Sequence, residues 1–255
     1  MRVPTRHELL TSAVVEPLLR GRFGRPYLWS ESCSSTQDAL RDPSLPEGAV
    51  AVTEHQTAGR GRAGRQWEDE AGEALLLSVL LRPPDATGAP QLSLVCALAV
   101  AEAVGAVAAV DAELKWPNDV LAGGGKLAGI LLEGHERAVV CGIGVNVNQT
   151  EASLPAGTRS PVGSLRTLTG RDHDRAALLV ELLARMETLY AAWLADGLTP
   201  LARDLARRDG LRGREVRIGG VAGVADGLAP DGRLRVRQPD GTTALVASGE
   251  VDAPG

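Results

Sequence analysis

The sequence predicts an α/β or α+β domain that runs into a small β-barrel. Three observations carry that expectation. Segments of strand-like and helix-like period alternate over the first 210 residues. Residues 92–110 form a long apolar stretch of helical length. After Gly210 the texture becomes Gly-rich and alternating, with turn signals at Gly219-Gly220, Asp231-Gly232 and Asp240-Gly241.

A strand is placed around residues 27–31, and residues 49–54, 75–81, 129–133 and 138–146 read as further short apolar strands. Residues 35–41 read as a short helix capped by Ser34 or Ser35. Residues 92–110 are long enough to suggest a membrane span. They are mostly Ala and Val, however, with Glu102 near the centre, and both features disfavour insertion. A buried core helix is expected instead. Residues 175–195 form a third helix, capped by Asp172 or Asp174, with an apolar stripe through Leu178, Leu182, Met186 and Leu189. Thr199-Pro200 and Gly210 bracket one more. In the tail, Val216, Ile218, Leu234, Val236, Leu245 and Val246 supply strand residues. A barrel of about 40 residues is too small to stand alone and is expected to pack on the larger domain.

The chain has 255 residues, of which 44% are hydrophobic, enough for one domain and a small appendage without disulfides or a structural metal. A net charge of −5 argues against a general nucleic-acid binder. Cys33, Cys96 and Cys141 are odd in number and widely spaced, which fits a reducing, cytoplasmic setting. No apolar run of signal-peptide length opens the chain.

Three segments beside strand ends carry candidate chemistry. The first is Gln56-Thr57-Ala58-Gly59-Arg60-Gly61-Arg62-Ala63-Gly64-Arg65-Gln66-Trp67. Glycines let backbone amides approach an anion, and arginines supply forks for phosphate or carboxylate; a solvated basic loop is the plain alternative. The spacing is not that of a Walker A loop. Like charges and glycine entropy predict a loop that stays mobile until a ligand orders it. The second is Lys115-Trp116-Pro117-Asn118-Asp119, with Lys126-Leu127-Ala128-Gly129 beginning eleven residues after Lys115. Asp119 there orients a ribose, holds Mg²⁺ through an oxygen, or simply builds a turn. The third is Gly142-Ile143-Gly144-Val145-Asn146-Val147-Asn148, a strand over which something passes closely, with Asn146 placed to bond a purine edge, or one which packs on the central helix. Rare residues gather in these segments. The only two lysines among 27 basic residues are Lys115 and Lys126, and the only asparagines are Asn118, Asn146 and Asn148.

Taken together, Ser35-Thr36 with the following amide Gln37, the loop from Gly59 to Trp67, Lys115 to Asp119, Lys126 to Gly129, Gly142 to Asn146 and the closing Ser248-Gly249-Glu250-Val251 resemble the biotin–protein ligase family. The resemblance implies an α+β, mixed-sheet catalytic domain of the biotin/lipoate ligase type over residues 1–210, and an SH3-like barrel over 211–255. It also implies MgATP, biotin and a biotin carboxyl carrier protein as reactants, in a monomer or homodimer. By analogy Ser35, Thr36, Gln37, Gln56, Arg60, Gly61, Arg62, Lys126 and Gly129 meet biotin. Arg60, Arg62, Arg65, Trp67, Asn118, Asp119, Lys126 and Asn146 meet ATP or the adenylate. Lys126, Arg62 and Arg65 are the catalytic cations, and Asp119 is a Mg²⁺ ligand. Gln37 stands where the family commonly has Asn. About 25 residues before the first strand leave little room for a winged helix–turn–helix, so the type without operator binding is expected. A related lipoate ligase or octanoyl transferase is the nearest rival. In the transferases a cysteine is the nucleophile, and Cys141, flanked by strand residues, is a poor one.

Overall fold

Residues 74–81 show no alternation because that strand is covered on both faces, and it lies in the interior of the main sheet. The computed structural model describes residues 8–84, 86–135, 138–155, 158 and 161–252. Its strands are β1 (Tyr27–Cys33), β2 (Val50–Gln56), β3 (Ala74–Leu81), β4 (Glu113–Lys115), β5 (Asp119–Ala122), β6 (Gly125–His135) and β7 (Ala138–Asn146). They lie in the order β1-β2-β3-β7-β6-β5-β4. The β1–β2 pair is parallel and the other neighbours are antiparallel, so the sheet is mixed and the fold α+β.

The helices are α1 (Ser12–Val15), α2 (Leu92–Ala108), α3 (Leu165–Thr169), α4 (Arg175–Asp196) and α5 (Ala202–Arg207). α2 is the expected core helix: its small residues let it pack closely between the sheet and α4. Glu102 pairs with Arg185 of α4 at 3.3 Å. No helix among the described residues is long and apolar enough to cross a membrane. Asp174, not Asp172, caps α4, accepting from the Ala177 amide at 3.0 Å, while Asp172 pairs with Arg166. The helix expected over residues 35–41 shrinks to one 3₁₀ turn, Asp38–Leu40, whose cap position is Gln37. Ser34 bonds the Asp38 side chain rather than a free amide, so neither serine caps it.

Beyond Gly210, β8 (Glu215–Ile218), β9 (Val221–Leu228), β10 (Leu234–Arg237) and β11 (Thr243–Val246) form an antiparallel sheet in the order β11-β10-β9-β8. The segment expected to form a barrel is this four-stranded sheet, with Asp252 bridging back to Arg217 of β8. Leu245 faces outward at 43% exposure, and its neighbour Val246 packs inward. The small sheet shares the main core through Val216, Ala225, Leu234 and Val236. Its Gly232 turn, at φ 82°, fits under Leu94 and Leu198, and the Gly232 carbonyl accepts a bond from Trp116 Nε1 at 3.1 Å.

A buried polar network ties the start of the chain to this frame. Arg175 donates to Glu54 at 2.7 Å and to the carbonyls of Ala74 and Glu8. Glu54 also accepts from the Leu10 amide and from Trp29 Nε1.

Candidate functional site

On the face of the sheet away from α2, Gly142 and Gly144 of β7 lie opposite Leu131 and Gly129 of β6. Three glycines on one face leave a floor of bare backbone, above which sits a cavity of about 260 Å³. All fourteen residues singled out above line it: Ser35, Thr36, Gln37, Gln56, Arg60, Gly61, Arg62, Arg65, Trp67, Asn118, Asp119, Lys126, Gly129 and Asn146. Past Arg62, Arg65, Asn118 and Asp119 the cavity opens into a cleft of about 990 Å³ that faces the small sheet.

The closed end is polar. Gln56 Oε1 accepts from the Thr36 amide at 3.0 Å and hydroxyl at 3.3 Å, and the Thr36 hydroxyl meets Ser78 Oγ at 2.7 Å. Ser78 was not foreseen, because it sits inside the unbroken apolar run of β3. The Gln37 side chain is buried against Gly142, where a Cβ would stand 2.7 Å from its Nε2. Its Nε2 donates to the Leu131 carbonyl at 3.4 Å, and its Oε1 has no partner. A buried acceptor without a donor is costly unless a ligand supplies one.

The Arg-Gly segment is a small hairpin: Arg60 bridges to Gln66, and Gly61 donates to the Arg65 carbonyl at 2.7 Å. Its tip carries Ala63 at φ 55°. The hairpin is held by its own ladder and by Arg60. The Arg60 guanidinium bonds Asp38 and Glu133, and the bond from Arg60 holds the Asp38 carboxyl below its usual range. Arg62 donates to Asn118 Oδ1 at 3.0 Å, and Arg65 pairs with Glu250 near the end of the chain at 2.6 Å. Trp67 lies on the floor. A Cβ on Gly144 would stand 2.5 Å from its ring, and its buried Nε1 has no partner. Gly144→Ala is expected to lift the indole, changing tryptophan emission in a way that disappears in a Trp67→Phe background. Unchanged emission would refute this packing.

Lys126 Nζ lies 2.7 Å from Asp119 Oδ1, an ion pair too oblique to count as a hydrogen bond, and 5.8 Å from the Trp67 ring centroid. Asn118 holds the β5–β6 wall through Nδ2 to the Ile130 carbonyl at 2.9 Å. Asn146 is committed at both ends of its amide, to the Gly163 carbonyl and to Gln149, and Asn148 likewise to His173. The clustering of asparagines thus has a structural reason as well as a positional one.

A mixed-sheet α+β fold whose basic hairpin covers a glycine floor defines a class: a pocket with a polar closed end and a cationic mouth. Residues 29–149 match the biotin/lipoate A/B protein ligase family. The biotin–[acetyl-CoA-carboxylase] ligase of Mycobacterium tuberculosis is 40% identical over 217 residues, covering 80% of this chain and 79% of the relative. The bifunctional ligase/repressor of Bacillus spizizenii is 36% identical over 70% of this chain, which spans 58% of that relative's length. The biotin protein ligase of Aquifex aeolicus, solved in complex with biotin and ATP, superposes with a TM-score of 0.81 at 30% identity, covering 89% of this chain and 97% of that one. The chain belongs to the biotin/lipoate A/B protein ligase family.

Proposed function

We propose that the protein activates biotin with ATP and passes it to a lysine of a biotin carboxyl carrier protein or domain. The observation that carries this reading is the meeting of Lys126, Arg62 and Arg65 at the mouth of a pocket whose closed end is lined by polar, partly unpartnered groups. A cyclic urea attached to an aliphatic acid has that polarity: donors and acceptors at one end, a carboxylate at the other. Thr36, Gln37 and Gln56 take the urea end, with Ser35 beside them, and the space beside the Trp67 indole, which itself lies over Gly129 and Gly144, takes the chain. Arg62 meets the carboxylate, with Gly61 beside it leaving room for the approach.

A carboxylate oxygen attacks the α-phosphorus of ATP, and pyrophosphate leaves. The acceptor amine then attacks the acyl carbon, AMP departs, and the amine loses a proton. Both transition states gather charge on oxygen, so fixed cations and positioning supply the catalysis. Lys126 stands where acid and phosphate meet, Arg62 and Arg65 flank the phosphate, and the Trp67 indole packs against the joined ligand from the floor and excludes water on that side. Asn118 supports Arg62, and Asn146 keeps the wall in shape. Magnesium enters with the nucleotide phosphates. Asp119, paired with Lys126 in the free protein, would supply the carboxylate that holds it, since Mg²⁺ needs only one or two carboxylates beside the phosphates.

A thioester mechanism is disfavoured. Cys141 is fully buried on the α2 face of β7, and a hydrogen bond with Cys96, together with burial, pushes its thiol up. Residues 1–210 are read as the catalytic domain and 211–255 as an SH3-like domain, in a cytoplasmic monomer or homodimer that does not bind nucleic acid. Pyrophosphate exchange into ATP is expected with biotin but not with lipoate or octanoate, together with a biotin mass increment on an acceptor domain. Exchange with lipoate alone would overturn the reading. Trypsin is expected to cut after Arg62 and Arg65 in the free protein and to be slowed by biotin plus ATP; equal rates would show that the hairpin does not close over the ligand.

A further inference from the structure

The Arg60 side chain points to a role that its place in the basic hairpin hides. Nε donates to Glu133 Oε1 at 2.8 Å, Nη1 to Asp38 Oδ2 at 3.0 Å, and Nη2 to Asp38 Oδ1 and Glu133 Oε2, both at 3.0 Å. Charge-assisted forks of this kind are the strongest hydrogen bonds a side chain makes. Arg41 closes the ring, reaching Asp38 at 3.1 Å and Glu133 at 3.4 Å. Two guanidinium groups and two carboxylates alternate, so the cluster is neutral and offers little field to an incoming phosphate. The contrast with Arg62 is sharp, since among the described residues that side chain meets only the neutral Asn118 amide, through Nη1.

We infer that Arg60 is a positioning residue, a latch that pins the first leg of the hairpin to the Asp38 turn and to β6, and not a cation for the adenylate. The three anchors come from separate parts of the chain: the turn after β1, the loop after β2, and the far half of β6. Pinning Arg60 fixes the Gly59 and Gly61 backbone on either side of it at the pocket wall, while the tip with Arg62, Ala63 and Gly64 keeps freedom to close. The hairpin then has a fixed leg and a moving tip. This assignment rests on the ligase reading for what the wall binds; the latch itself does not.

Trypsin must take the arginine side chain into its own pocket, so a latched Arg60 resists cleavage. In the wild-type protein without ligand, the Arg60–Gly61 bond is expected to be cut at least about tenfold more slowly than the bonds after Arg62 and Arg65. In Asp38→Asn/Glu133→Gln, near-isosteric changes that remove both charges, cleavage after Arg60 rises to match them. In biotin-dependent pyrophosphate exchange the same variant is expected to raise the KM for biotin about tenfold and leave the KM for ATP in place. Equal cleavage at all three arginines in the wild-type protein overturns the latch, whatever the state of the variant. A variant that weakens ATP rather than biotin also overturns it, because that is the signature of a direct phosphate contact. Absence of any exchange in the wild-type protein sinks the ligase reading instead and leaves the cleavage comparison standing.

Discussion

Lys126→Ala is expected to lose adenylate formation while keeping the fold. The ammonium is the one lysine at the cavity and sits 2.7 Å from Asp119, whose side chain is 24% exposed, so removing it leaves a carboxylate that still reaches water. Its loss removes a fixed positive charge from the point where a carboxylate and a phosphate exchange a bond. Such contacts are worth about 3–4 kcal/mol, or roughly 10²–10³ in rate. Biotin-dependent pyrophosphate exchange measures it, with circular dichroism as the control for folding. Lys126→Arg is not expected to restore the rate, because a planar fork does not occupy the place of a compact ammonium. Near-normal exchange in the alanine variant would move the catalytic charge elsewhere.

The largest effect on stability is expected at the Arg175–Glu54 pair, whose side chains are 3% and 4% exposed. Removing one partner leaves a buried charge with no counter-ion, at about 3–5 kcal/mol. Arg175→Met strands the Glu54 carboxylate, and Glu54→Leu strands the guanidinium. The double variant is expected to recover much of the loss, because an apolar pair of similar volume serves nearly as well as a buried ion pair. Urea midpoints of the two single variants and the double variant decide it. An Arg175→Met variant within about 1 kcal/mol of wild type would mean that the Leu10 amide and Trp29 already carry Glu54 without arginine.

Much of this was legible in the sequence for identifiable reasons. β3 and β7 announce themselves as unbroken apolar runs, α2 by its length and small residues, and the small sheet by its paired glycine turns. The site was visible because scarce residue types gathered at strand ends. What stayed hidden depends on register. Ser78 backs the closed end through Thr36 because it pairs with Gly142 across β3 and β7, and a strand buried on both faces gives no sign of which face a residue takes. The partners of Arg60 lie 22 positions before it and 73 after it, and no local pattern joins them. The helix expected over residues 35–41 failed because Thr36 and Gln37 turn inward to polar partners instead of completing helical turns.

The floor made by Gly129, Gly142 and Gly144 has a consequence for how such a pocket changes over time. Main chain has no rotamers, so the depth of the slot is set by the spacing of hydrogen-bonded strands and cannot be trimmed in small steps. A single methyl group at Gly144 already collides with the indole above. Variation that retunes ligand choice must therefore enter at the mouth and the closed end, leaving the base as a fixed gauge of thickness.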